Sequence, residues 1–208
     1  MRRSKSPISS SLKKSSAKLD ENSLLSGWAR IVDRIVQGEK LKRPIVTVGP
    51  TPDILKAYGL PGTSLVMTVG KVATCRREHP DVPLAVWHDL PKLMADPLAI
   101  FPSQRRDGSV VILLLVSDHN GDPILVAVSP GDGSANVILS VYGKEAGFPW
   151  VIKEITSARA DGLPAYEGKD FAATLPQPPV VETTSSSHGL IPSNGTAKPK
   201  RDILSIRK

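Results

Sequence analysis

The sequence is short of cysteine, paired histidines and long apolar runs, and each shortage removes a class of protein. A single cysteine, Cys75, stands among 208 residues, so the chain closes no internal disulfide framework and forms no cysteine-based zinc site by itself. A reducing, intracellular setting is the expectation. The four histidines, His79, His88, His119 and His188, show neither HxxxH nor HExxH spacing, which leaves a helical zinc site without support. Neither a metal nor another cofactor is expected. The longest uninterrupted apolar run, Val110 to Val116, is seven residues, far below the ~20 of a membrane span, so no membrane partner is expected. The opening MRRSKSPISSSLKKSSAKL lacks the apolar h-region of a secretory signal and reads as a basic tail.

Positive charge is present, with a formal net charge of +7, but its distribution matters more than its sum. Residues 1–22 carry six Lys/Arg against two Asp/Glu, and residues 183–208 carry five against one. That leaves 16 basic and 17 acidic groups between residues 23 and 182. The folded part therefore need not present a basic face. The tail cations read first as solubilising charge and only second as a phosphate-tracking arm.

In SLLSGWARIVDRIVQG, Leu24, Trp28, Ile31, Val32 and Ile35 form one stripe of helical period, with Ser23 as a cap and Gly38 as a stop. Ile45 to Val48 reads as a short strand, and Thr51 before Pro52 as the cap of a helix over Asp53 to Tyr58. SLVMTVGKVATCRREHP places Val66, Val69, Val72 and Ala73 at helical spacing, so helix is expected, while β-branched content leaves strand open for its first half. Prolines break DVPLAVWHDLPKLMADPLAIFPS into short helical turns leading to an edge strand.

The runs at 109–116, 123–128 and 136–141 are apolar, and SDHNGD and SPGDGSA join them. Connectors so short and so rich in turn residues imply an antiparallel meander. Val110 to Val116 is apolar at every position, so both its faces are expected to be covered. FPWVIKEITSARADG reads as an amphipathic helix carrying Trp150, Val151 and Ile155 on one side, and LPAYEGKD as a further short strand. The expected organisation is a disordered basic tail at 1–22, one α+β domain at 23–172, a Pro/Ser-rich linker at 173–199, and a short terminal strand or tail at 200–208.

Taken in order, Lys71 ahead of the His79-Pro80 pair, LPKLMADPLAIF, the glycine-turn hairpin and SVYGK resemble the carboxy-terminal domain of phage MuF-type proteins. That domain also occurs in the polyvalent proteins of phages and conjugative elements. The resemblance covers about residues 43–160. It implies a fold of the barnase, EndoU, colicin and RelE nuclease class: amino-terminal helices packed on an antiparallel sheet of about four strands. It also implies association with metal-independent RNases, many of them toxins. Two features depart from the pattern: Ser205 stands where threonine is more usual, and the preceding linker is long.

Metal-free RNA cleavage needs a base for the 2′-hydroxyl proton, an acid for the leaving 5′-oxygen and a cation for the phosphorane. Histidine suits proton transfer near neutral pH, which points to His79. Lys71 lies eight residues earlier, about 12 Å along a helix axis at 1.5 Å per residue. Along a strand, Ser140 and Tyr142 share a face while Val141 points to apolar packing. Lys144 follows Gly143 and reaches the same groove. The candidate catalytic set is therefore His79 with Lys71, facing Ser140, Tyr142 and Lys144 across a helix-to-sheet cleft.

Plainer readings stand beside these: a helix-ending histidine, a surface tyrosine and solvated lysines. Arg76 and Arg77 read as surface charge, Cys75 as a small core residue, and His88 and His119 receive no role. The expected function is a phage-derived or phage-like RNase effector with RNA as substrate, acting in its own or a target cell's cytoplasm. An immunity protein or phage head proteins are the expected protein partners. The alternative is a catalytically inert binding module of a phage head or mobile-element protein.

Overall fold

The computed structural model describes residues 21–175, with side chains placed from Gly27 onward. The terminal strand expected at 200–208, with Ser205, lies outside the described residues. So do almost all of the amino-terminal tail and the linker.

The first amphipathic repeat folds as α1 (Glu21–Val36), starting two residues before the expected cap at Ser23. Trp28 and Val32 are fully buried, Ile35 is nearly so, and Ile31 packs against the same core. The stripe thus faces the core as its period requires. β1 (Ile45–Pro50) and α2 (Asp53–Ala57) follow. Thr51 does not cap α2, whose N-cap is Pro52 with no side-chain hydrogen bond. Its hydroxyl is buried and accepts a 2.7 Å bond from Asn136 Nδ2, which also donates to the Pro61 carbonyl at 2.9 Å.

The segment read as helix divides into β2 (Ser64–Thr68) and α3 (Val69–Glu78). In β2, buried Leu65 and Met67 alternate with more exposed neighbours, the period of two that strand pairing rewards. Thr68 then caps α3, accepting the Lys71 backbone N–H at 3.1 Å. The proline-broken stretch gives α4 (Leu84–His88) and α5 (Leu90–Ala95) before β3 (Ala99–Pro102). The meander is β4 (Val110–Ser117), β5 (Pro123–Ser129) and β6 (Ala135–Gly143). α6 (Gly147–Ala160), the two-residue β7 (Tyr166–Glu167) and α7 (Phe171–Thr174) complete the described chain.

Among the described residues all seven strands join one sheet in the order β1-β2-β6-β5-β4-β3-β7, three more than the expected four. The α+β class stands. The meander is antiparallel as its turns demand, whereas β2 and β6 run parallel. The chain makes α3 to α5 and three strands between them, ample length for a parallel crossover. β3, expected at an edge, has β7 beyond it.

Both faces of the sheet are covered, and alternate residues of β4 show it. Val110, Ile112 and Leu114 pack with Trp28, Val72, Trp87 and Met94 on the face of α1, α3, α4 and α5. Val111 and Leu113 pack with Val151 and Ile155 of α6 on the other. The expectation that this run is covered twice is met by α6 as far as Leu114, whereas Leu115 is 45% exposed. Among the described residues, no helix is long and apolar enough to cross a membrane.

Candidate functional site

The site begins with an irregularity in β6. Val128 pairs with Ile138 while Ala127 pairs with Ser140, so Leu139 is an extra residue in the ladder. Such a bulge shifts the inside-outside parity by one. Ile138 and Val141, three positions apart, consequently both enter the core under α1 and α3. Leu139, Ser140 and Tyr142 are left on the α6 side. Ser140 and Tyr142 do share a face and Val141 is fully buried opposite them.

That face opens into a cleft of about 640 Å³ between the sheet, the β3–β4 loop and α6. Its floor is apolar, with Val111 and Ala127; Tyr142 and Trp150 form walls; Arg105, Arg106 and Lys144 supply cations, and Glu154 the carboxylate. Trp150 and Glu154 lie one helical turn apart on α6 and so project together. The Lys144 ammonium sits 4.5 Å from the centre of the Trp150 ring, a cation–π contact. The same indole and the Phe101 ring are T-shaped, with centroids 5.9 Å apart. Burial lifts the Tyr142 phenol above its ordinary 10.0; the Arg105 cation opposes this and the Glu154 carboxylate adds to it. Tyr142 therefore remains a protonated donor across the neutral range.

His79 is the C-cap of α3, where its N–H donates to the Cys75 carbonyl at 2.8 Å. The turn after it is tied down twice: Arg76 Nη1 donates to the Val82 carbonyl at 3.0 Å, and the His119 N–H donates to the Asp81 carbonyl at 3.0 Å. This holds the His79 ring against Tyr142, with ring centroids 5.7 Å apart and a tilt of 38°. His79 itself lines a second, shallower cleft of about 460 Å³ with Asp81, Asp118, Asp122 and Glu145. Among the described residues no group of three or more His, Cys, Asp or Glu is placed to hold a metal ion.

Gly143 divides the two clefts, and its role is close approach. The Asp118 carboxylate accepts the backbone N–H groups of Asn120 and Asp122 at 2.9 Å each, which fixes it in the β4–β5 turn. A Cβ at Gly143 would stand 1.9 Å from Asp118 Oδ2 and 2.9 Å from its Cγ. Gly143→Ala is expected to cost about 1–3 kcal/mol as overpacking, read as a lowered denaturation midpoint. Combining it with Asp118→Ala should return part of that loss; strictly additive effects of the two changes would show that the clash is not the cause.

The structure thus brings Ser140, Tyr142 and Lys144 to one cleft and sets His79 against Tyr142 from the neighbouring one. Lys71, in the first turn of α3, lines neither. Sequence reading passed over Arg105, Arg106 and Glu154. The arginine pair was visible in SQRRDGS, and Glu154 at four residues from Trp150, but nothing local says that the loop and the helix meet over one face.

Residues 71–167 match the family model of the phage MuF-C-terminal domain, and neither a curated protein nor a solved structure matches the chain. The matched span is a little under half of the 208 residues and holds all five candidate positions and the whole of both clefts. α1, β1, α2 and β2 precede it, although they share its core. Residues 71–167 are therefore similar to the phage MuF-C-terminal domain.

Proposed function

We propose that this chain cleaves RNA without a metal, as a phage-derived effector or toxin. The observation that carries the reading is the position of Tyr142, whose ring touches His79 while lining the cation-bearing cleft. His79 takes the proton of a 2′-hydroxyl, whose oxygen attacks the adjacent phosphorus. The 5′-oxygen leaves with the proton of the Tyr142 phenol, giving a 2′,3′-cyclic phosphate and a 5′-hydroxyl; solvent restores both groups. Lys144 and Arg105 stabilise the phosphorane charge and the Ser140 hydroxyl donates to a phosphate oxygen. Lys71, two turns from His79, contacts the strand outside the reacting centre. An immunity protein that blocks the cleft and phage head proteins that carry the domain are partners consistent with this role.

One observation favours the second reading, an inert binding module of a head or mobile-element protein. His79 opens onto a cleft lined by four carboxylates, which repel phosphate. The two are separated by incubating the purified chain with single-stranded RNA in excess chelator. Discrete products ending in cyclic phosphate are expected; RNA that is bound but stays intact, at any pH between 5 and 9, would leave only the binding module.

A further inference from the structure

Asn120 and Gly121 stand exposed at the tip of the β4–β5 turn, between the paired residues Ser117 and Pro123. An asparagine followed by glycine is open to a reaction that bulkier pairs resist. The backbone nitrogen of the second residue attacks the side-chain amide carbon of the first, and glycine has no Cβ to shield that nitrogen. Of the other asparagines, Asn22 precedes serine, and Asn136 is fully buried and precedes β-branched Val137. Asn194 also precedes a glycine, but lies outside the described residues. The Gly121 nitrogen is held by one bond, its N–H donating to the Asp118 carbonyl at 3.1 Å. Opening that bond is a local event at a solvent-facing tip and leaves the β4–β5 ladder closed.

The turn around this pair is clasped by a single carboxylate. Asp118 Oδ1 accepts the backbone N–H groups of Asn120 and Asp122, while the Asp118 N–H donates to the Asp122 carbonyl at 2.9 Å. The peptide bond from Asn120 to Gly121 therefore lies inside the clasp. If the chain is rerouted through the Asn120 side chain, one methylene enters the main chain between the two donors. They then no longer both meet one oxygen. The same carboxylate is seated against Gly143, and Asn120 itself lines the cleft of His79. A change at this tip thus reaches the partition between the two clefts.

We propose that Asn120 is a site of spontaneous modification, converting to isoaspartate and releasing the Asp118 clasp. The Gly121 nitrogen bonds to Asn120 Cγ, the Cγ–Nδ2 bond breaks, and the proton lost from Gly121 leaves with the amide as ammonia. Water then opens the five-membered imide, at the main-chain carbonyl to give isoaspartate and at the other to give aspartate. Water is the sole co-reactant, and the ribonuclease reading above is not required.

The test ages the purified chain in mildly alkaline buffer and maps it by mass spectrometry, with isoaspartate counted by enzymatic methylation specific for it. Loss of the Asn120 amide is expected, with isoaspartate formed there and Asn136 unchanged. The aged chain is expected to melt at least ~2 °C below the fresh one. Asn120→Asp adds the charge without the methylene and should melt above the aged chain. Asn120→Gln keeps the backbone donor to Asp118 and resists ring closure, so its melt should survive ageing. Asn194 is the reference within the same molecule: its conversion beside an intact Asn120 overturns the assignment, as does an intact amide at both. Isoaspartate at position 120 with an unchanged melt would overturn the release of the clasp. So would an Asn120→Asp melt as low as that of the aged chain, or an equal loss on ageing in Asn120→Gln.

Discussion

Replacing His79 by alanine is expected to reduce RNA cleavage by about 10²–10⁴-fold, the range that a positioned general base contributes, while leaving the fold intact. The fold should tolerate it because His79 is only half-buried and its anchoring hydrogen bond is made by its backbone N–H, which alanine keeps. The effect should fall on turnover more than on RNA affinity, since the cations Arg105, Arg106 and Lys144 belong to the adjoining cleft. Tyr142→Phe is the companion variant, because it keeps the ring against His79 and removes only the donor. The phenol gives up its proton above the ordinary value of 10.0, so its donor is fully present at neutral pH and lost only as pH rises beyond that value. In the wild type the alkaline fall in rate due to this group should therefore lie above about pH 10. Unchanged cleavage in His79→Ala, measured on a labelled oligonucleotide by single-turnover kinetics, would remove His79 from the mechanism.

A chain cut down to the matched span, residues 71–167, is expected not to fold, although it contains every candidate site residue. The truncation removes α1, β1, α2 and β2, which strips β6 of its parallel neighbour and opens a sheet edge beside the site. It also takes Trp28, Val32, Ile35, Val46, Val48, Leu55, Leu60, Leu65 and Met67 out of a core they share with Val72, Trp87, Leu90 and Met94. Fully burying one such side chain is worth roughly 1.5–3 kcal/mol. Losing a fraction of nine exceeds the ~5–15 kcal/mol by which whole domains are stable. The Trp28 indole N–H donates to the Trp87 carbonyl, and Asn136 loses both acceptors with Thr51 and Pro61. Circular dichroism and a thermal melt decide it: residues 21–175 should give a cooperative transition and 71–167 none. A cooperative melt for the shorter chain would show that the amino-terminal strands are accessory.

Much of this architecture is local in origin and is legible in the sequence. The stripe of Trp28, Val32 and Ile35 makes a buried helix face because a 3.6-residue period leaves no other way to cover it. SDHNGD and SPGDGSA close hairpins because they are too short for anything but antiparallel pairing. Alternation alone put Ser140 and Tyr142 on one face and Val141 on the other, and both sides of that statement hold.

What the tertiary structure decided depends on contacts between segments distant in sequence. Ser64 to Thr68 has a helical spacing that its pairing with β1 and β6 overrides, because two neighbouring strands satisfy its backbone and bury Leu65 and Met67. The bulge at Leu139 leaves no sign in VILSVYG, yet it puts Ser140 and Tyr142 on the side of the sheet that α6 covers. His79 and Tyr142 meet ring to ring with centroids 5.7 Å apart, and Lys71 lines neither cleft. Sequence determined the elements and the chemistry they carry; the parity of one strand, set by its neighbours' hydrogen bonds, decided which of those groups share a cleft.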